Sequence, residues 1–477
     1  MGGMEEVNVG KAPLERLLGL LTPDRAERFR AYVDRGVPLL AGRTVWNVNS
    51  TARGGGVAEM LQALLTYTSA AGVDTRWLVI DGDERFFVAT KRLHNLLHGE
   101  AGDGRGLGEQ DRQVYAEVQQ RNAEQLTGRV RAGDVVLLHD PQTAGLVEPL
   151  QRAGAHVVWR CHVGRDVRNG HTDEGWAFLR PFLEGAEGFV FSRAQYAPEW
   201  VLDDRLWVIP PSLDPFSAKN APMSAADVAA SLSRANLVAV RAGGGSSDFV
   251  RRDGTKGAVR PHPGLFLTGG LVPEHARVVL QVSRWDRLKD MAGVMRGFTQ
   301  HLDELPEAVH LVLAGPDVSA VSDDPEGADV LAECQDVWGG LTARVSDRVH
   351  LCGLPMDDVD ENAHLVNALQ RFADVVVQKS LAEGFGLTVT EPMWKSRPVV
   401  ASAIGGIQDQ ISDGESGLLL ADPTDLDAFA ASLSKLLDDR VLADRLGAGA
   451  HERVRDRFLP DRHLGQYVEL FDRVVNS

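Results

Sequence analysis

The chain is short of cysteine, of positive charge and of long apolar runs. Its 477 residues include three cysteines, Cys161, Cys334 and Cys352. They are far apart, odd in number and form no CxxC pair. That pattern argues against a disulfide framework and a structural zinc site, and a reducing cytoplasm is the expected compartment. Lys and Arg total 50 against 67 Asp and Glu, a net charge of −17. Such a chain lacks the broad basic face of a nucleic-acid binder and the polybasic patch of a membrane-surface protein. No apolar run approaches the ~18 residues of a membrane span. The stretch Met1–Lys11 is polar and acidic, without the apolar core of a secretion signal.

What is present is the composition of an ordinary soluble globular protein, with 44% hydrophobic and 25% charged residues. At roughly 100–200 residues per domain, the length predicts two or three domains. Short apolar runs recur at Thr44–Val48, Trp77–Ile80, Val135–Leu138, His156–Trp159 and Gly188–Phe191. Helix-like segments such as Val57–Ala71 and Phe86–Leu97 lie between them. Continuous apolar runs mark strands covered on both faces, and strand–helix alternation predicts a doubly wound parallel sheet. A second series runs through Arg277–Ser283, Val309–Ala314, Arg348–Cys352, Val375–Gln378, Pro398–Ala401 and Gly417–Leu420. The fold class is therefore α/β, with one domain over 1–212 and another over 273–450. Residues 213–272 read as a hinge and flexible insertion. Pro210 and Pro211 break regular structure, and Arg241–Arg260 is rich in Gly, Ser and Arg. Residues 451–477 read as a terminal helical segment, one helix packed on one of the domains.

Four motifs follow these strands. Arg53-Gly54-Gly55-Gly56 comes after the first strand and opens a helix. Its amides suit an anion, although a tight strand–helix turn explains the glycines equally well. Arg284 and Lys289 follow Arg277–Ser283, at a carboxyl end where α/β sheets bind ligands. Lys289 stands near a helix start, where a cation is disfavoured unless a bound anion compensates it. In Glu383-Gly384-Phe385-Gly386-Leu387-Thr388-Val389-Thr390-Glu391, two carboxylates flank a glycine turn. The following Pro392 suits a helix only in its first turn. Finally, His139-Asp140 and His162 follow two strands of the first domain. Lone histidines are more often structural than catalytic, but positions on two strands favour a site.

Together these motifs resemble a family 4 retaining glycosyltransferase with the GT-B fold, two facing Rossmann-like domains and an interdomain cleft. More narrowly, Val45–Glu59, Trp77–Gly99, His139–Gln142, Trp159–His162 and Glu383–Lys395 resemble the trehalose glycosyltransferring synthases. The likeness spans nearly the whole chain except the first ~35 residues and 221–271. It implies that 1–212 is the acceptor-side domain and 273–450 the donor-nucleotide domain. It implies a retaining, reversible transfer of glucose from nucleotide diphosphate glucose to free glucose, giving α,α-trehalose. Arg284 and Lys289 would hold the diphosphate and stabilise the leaving group. Glu391 would bind the ribose; Glu383, Gly384 and the backbone of Phe385, Gly386, Leu387 and Thr388 would hold the donor glucose. Gly55 and Gly56 would close on the diphosphate, His162 would lie near the donor sugar, and Asp140 would orient the acceptor. No metal and no cofactor beyond the donor substrate is expected. A homodimer is expected only from the prevalence of such assemblies.

Rival readings share the fold. A sugar phosphate acceptor would need extra cations near Asp140, and Arg160, Arg165 and Arg168 are the candidates. A nucleotide-sugar epimerase would turn over donor without acceptor, and a non-catalytic sugar-binding protein would bind without forming product.

Overall fold

The computed structural model describes residues 3–52, 56–239, 244–318 and 326–476. The chain divides into two units. The first comprises Met1–Leu213, Glu383–Phe385 and Phe458–Ser477; the second comprises Asp214–Ala382 and Gly386–Arg457.

The first unit is built on seven strands: β1 (Glu5–Val7), β2 (Thr44–Asn49), β3 (Asp74–Val79), β4 (Val135–His139), β5 (His156–Cys161), β6 (Gly188–Phe191) and β7 (Leu206–Val208). Their order is β1-β3-β2-β4-β5-β6-β7. All neighbours run parallel except β1, which pairs antiparallel with β3 at the edge. Every residue of β2, β4 and β6 is buried. The pleat sends alternate residues to opposite faces. Trp46, Val48, Val136, Leu138, Trp159 and Phe191 enter one core. Val45, Trp77, Val135, Leu137, Val158 and Val190 enter the other, under helices Gly56–Ala70 and Pro460–Val475.

The second unit has a small parallel pair and a hairpin ahead of its main sheet. The pair is β8 (Val238–Ala239) with β12 (Val272–Pro273), and the hairpin is β9 (Asp248–Val250) with β10 (Lys256–Ala258). The main sheet contains β11 (Phe266–Thr268), β13 (Arg277–Val282), β14 (Val309–Pro316), β15 (Val349–Leu354), β16 (Val375–Gln378), β17 (Val399–Ser402) and β18 (Leu418–Leu420). Its order is β11-β15-β14-β13-β16-β17-β18, parallel except for β11.

The winding places the motifs. In the first sheet the parallel strands start at β2, build outward to β3, then reverse to β4. In the second the parallel strands start at β13, build to β14 and β15, then reverse to β16. Ligands of open α/β sheets bind beyond the strand carboxyl ends at such a reversal. In sequence the glycine run ending at Gly56 follows β2, and Asp140 follows β4. Arg284 follows β13, and the segment from Glu383 follows β16.

Two expectations need correction. The described part of 213–272 is not a loose insertion but part of the second unit's core, through Val228, Leu232, Leu237, Phe249 and Val259. Its arginines find distant partners: Arg251 meets Asp358 at 2.6 Å, Arg252 meets Asp360 at 2.8 Å, and Arg260 meets Asp357 at 2.7 Å. Residues 240–243 of the same stretch lie outside the described residues. The terminal segment is also not one helix. A helix ends at Arg457, Leu459 is extended, and Pro460 begins a new helix at a position where its missing N–H costs nothing. Among the described residues, no helix is long and apolar enough to cross a membrane.

Candidate functional site

In the first unit, Arg53, Gly54 and Gly55 lie outside the described residues, and Gly56 is the first residue of its helix. Asp140 leaves β4 with φ 64° and ψ 172°. That region is nearly reserved for glycine, so the surroundings must hold Asp140 there against strain. They do so on three sides. The Asp140 N–H donates to Arg160 O at 2.7 Å. The Asp140 carbonyl accepts from Trp159 Nε1 at 3.1 Å, and Oδ1 accepts from the His162 N–H at 2.7 Å. Burial pushes the Asp140 carboxyl up to about 7, against the lowering pull of that bond and of Arg160.

His162 directly follows β5. Its Nε2 lies 3.1 Å from His139 Nδ1, and His139 Nε2 lies 3.1 Å from Asn47 Oδ1. Burial, reinforced by Arg160, lowers His139 to about 3 and holds His162 well below the usual imidazole value. Both rings are therefore neutral near pH 7. Sequence reasoning passed over Asn47; the available signal was a polar residue inside the otherwise apolar run Thr44–Val48.

The first unit also takes in Glu383–Phe385. The Tyr196 hydroxyl donates to Gly384 O at 2.7 Å and to Glu383 O at 3.2 Å. Gly384 sits so close to the His162 carbonyl that an added Cβ would come within 2.3 Å of it. Only glycine permits that approach. Phe385 is buried against Phe458, with ring centroids 5.7 Å apart. The structure thus gathers Asp140, His162 and the Glu383 segment, three features distant in sequence.

In the second unit, Arg284 is exposed and meets Asp286 at 3.2 Å. A single tight turn, Arg287–Lys289, follows. Asp290, at φ 49°, caps helix Met291–Gln300 by accepting from the Gly293 N–H at 3.1 Å. Gln281 Nε2 donates to the Lys289 carbonyl at 2.8 Å. Lys379, fully buried at 0% exposure, pairs with Asp290 and donates to Pro423 O at 2.6 Å. Gln281, Asp290 and Lys379 thereby set the backbone that carries Lys289. A charged residue directly after the buried strand β16 was the available signal for Lys379.

Gly386 adopts φ 86°, ψ 69° and caps helix Leu387–Trp394, so Leu387 and Thr388 are its first two residues. Their amides stand at a helix start, where partial positive charge suits an anion. Glu391 is buried. Lys219 pairs with its Oε1 at 3.4 Å and Gln370 Nε2 donates to its Oε2 at 3.1 Å. Lys395 donates to Asn220 Oδ1 at 2.9 Å, to Gln370 Oε1 at 2.8 Å and to the Glu391 carbonyl at 3.1 Å. Pro392 lies in the interior of this helix, beyond its first turn. The helix ends at Trp394, so the proline removes one bond from a short element and does not interrupt a long one.

The arginines considered for an acceptor phosphate are engaged elsewhere. Arg160 is fully buried, bonded to His463 Nε2 at 2.9 Å, to the Tyr467 hydroxyl and to Ile209 O at 2.9 Å. Arg165 donates to His98 O at 3.0 Å and Glu100 at 3.1 Å, and Arg168 pairs with Asp173 at 2.8 Å.

Comparison with known proteins decides the family. Residues 47–198 match the family model for the N-terminal domain of trehalose synthase, and 270–453 match that for group 1 glycosyl transferases. The trehalose synthase of Rubrobacter xylanophilus is 35% identical over 91% of this chain and 92% of its own. That of Pyrococcus horikoshii is 30% identical over 98% of both chains. The chain belongs to the trehalose synthase family. It is a hexosyltransferase of trehalose-related glycosyl transfer. A trehalose phosphorylase of Pleurotus pulmonarius is also similar, 24% identical over 86% of this chain and 54% of its own. Among solved structures, an E. coli trehalose-6-phosphate protein bound with UDP-2-fluoro glucose matches with TM-score 0.66. It is 14% identical and covers 91% of this chain and 99% of its own, a likeness of GT-B fold.

Proposed function

We propose that the enzyme transfers glucose, with retention and reversibly, from a nucleotide diphosphate glucose to free glucose, forming α,α-trehalose. The observation that carries the free-glucose reading is the engagement of Arg160, Arg165 and Arg168. Arg160 is sealed beneath helix Pro460–Val475, Arg165 is held by the carbonyls of His98 and Gly99 and by Glu100, and Arg168 pairs with Asp173 and Glu199. Each of the three is thus engaged by other groups of the first unit.

Transfer breaks the bond between the anomeric carbon and the phosphate oxygen. Positive charge develops on the sugar and negative charge on the departing diphosphate. Arg284 and Lys289 meet that negative charge, which is the main electrostatic contribution open to such a site, while the backbone of Phe385–Thr388 holds the donor glucose. Glu391, fixed by Lys219 and Gln370, accepts from ribose hydroxyls. Glu383 accepts from donor-glucose hydroxyls, His162 contacts the donor sugar, and Asp140 orients the acceptor hydroxyl. The acceptor attacks from the face of the leaving group, and a phosphate oxygen takes its proton. The residues assigned to the donor supply this without a resident cofactor or metal.

The test is incubation with ADP-, UDP- or GDP-glucose and either glucose or glucose 6-phosphate, followed by product identification. Trehalose from glucose is the expected result. Trehalose phosphate from glucose 6-phosphate alone overturns the acceptor assignment. Release of glucose 1-phosphate from trehalose and inorganic phosphate, without nucleotide, overturns the donor assignment in favour of phosphorolysis.

A further inference from the structure

A row of three polar side chains crosses the first unit's sheet on one face. Asn47 lies on β2, His139 ends β4 and His162 follows β5. The strands are neighbours, with Asn47 in register with Leu137 and His139 with Arg160. The alternation that sends Val45, Val135, Leu137 and Val158 to the face under helices Gly56–Ala70 and Pro460–Val475 sends this row there as well. Asn47 is 4% exposed and His139 1%. The two imidazole planes are 13° apart, with centroids separated by 5.4 Å. A buried amide and a buried imidazole are costly unless each is bonded, and here they are bonded to each other.

A neutral imidazole donates from one ring nitrogen and accepts at the other. The direction of the whole row is therefore set at its inner end. With Asn47 Oδ1 as acceptor, the proton of His139 sits on Nε2. His139 Nδ1 then accepts from His162 Nε2–H, and the lone pair of His162 is left on Nδ1. We propose that Asn47 and His139 are positioning residues that hold His162 as its Nε2–H tautomer, so that Nδ1 accepts a hydrogen bond from a donor-sugar hydroxyl. This rests on the reading of His162 as a donor-sugar contact. Neither positioning residue touches substrate. Their effect passes through the orientation and proton placement of His162.

The resting enzyme, labelled with 15N-histidine, reports the tautomers directly from its ring-nitrogen shifts and long-range couplings. Nε2–H signatures for His139 and His162 are expected; an Nδ1–H signature for His162 overturns the proposal. Two variants add a functional readout. Asn47→Leu removes the acceptor at similar volume. It should lower kcat on the order of 10- to 100-fold, the range seen when outer partners of a ligating imidazole are lost. Asn47→Asp keeps an acceptor and should restore kcat to within a few-fold of the wild type. Equal loss in both variants, or no loss in Asn47→Leu, overturns the proposal. A wild-type enzyme that forms no trehalose from any nucleotide diphosphate glucose and glucose overturns the transfer reading instead, and the resting-state tautomer still decides the arrangement of the row.

Discussion

The two sheets reverse their winding in the same way, but the chemistry beyond the reversals differs. In the first unit, β4 and β5 lead to a strained carboxyl raised to about 7 and to neutral imidazoles. In the second, β13 leads to Arg284 and Lys289, and β16 to the buried Lys379 paired with Asp290. Shared topology supplies two places where backbone and side chains converge. The residues capping the strands put neutral imidazoles and a raised carboxyl at one place, and cations at the other. Burial is part of the difference and pairing the rest, since the buried Lys379 keeps Asp290 beside it. Asp140 and His162 lie within a desolvated layer that disfavours charge, whereas Arg284 is exposed to water.

Experiments can break this contrast from the cationic side first. Lys289→Ala or Arg284→Ala should reduce turnover by roughly 10²–10³-fold or more, as for loss of one preorganised group facing transition-state charge. Thermal unfolding should be nearly unchanged, and near-wild-type transfer rates would count against the diphosphate role. Lys379→Met tests the support beneath Lys289. Removing one partner of a largely buried pair costs about 3 kcal/mol or more, so chemical denaturation should show a clear loss of stability. Unchanged stability would remove Lys379 from the frame.

On the neutral side, Asp140→Asn should slow transfer by roughly 10²-fold through loss of acceptor alignment, yet stabilise the protein at neutral pH. The sign follows from the raised carboxyl. Between about pH 4 and about 7 the folded state holds a proton that the unfolded state has released, so wild-type stability falls as pH rises through that window. An asparagine side chain at this position does not titrate. The variant's advantage in thermal unfolding should therefore widen from about pH 4 to about pH 7, and a constant difference would contradict the raised carboxyl. The smallest effect is expected for Glu391→Ala, which should raise donor KM by about tenfold, near 1.4 kcal/mol, with a lesser change in kcat. An unchanged donor KM would argue against a ribose contact.

Much of this was legible in the sequence because burial on both faces leaves a local trace. Val375–Gln378 and Gly188–Phe191 are apolar nearly end to end, and their bounds in the structure are those read from the residues. Other elements left a weaker trace. β5 continues through Arg160 to Cys161, because His463, Tyr467 and Ile209 O bond the buried guanidinium of an arginine that looks like a strand terminator. β1 is the polar edge segment Glu5–Val7 and carries no apolar run. The Gly- and Arg-rich stretch near 250 looked mobile because its partners, Asp357, Asp358 and Asp360, lie far along the chain.

By itself the sequence determined which residue types stand at the strand ends: glycines, two cations, two separated glutamates, and the His–Asp pair. Those are local properties of composition and spacing. Tertiary structure decided how they are tuned. It joined Glu383–Phe385 to the unit that holds His162, placed Lys219 on Glu391, sealed Arg160 beneath the terminal helix, and lined up Asn47, His139 and His162 across three strands. Each of these depends on burial and on partners distant in the chain, and neither can be read from neighbouring residues.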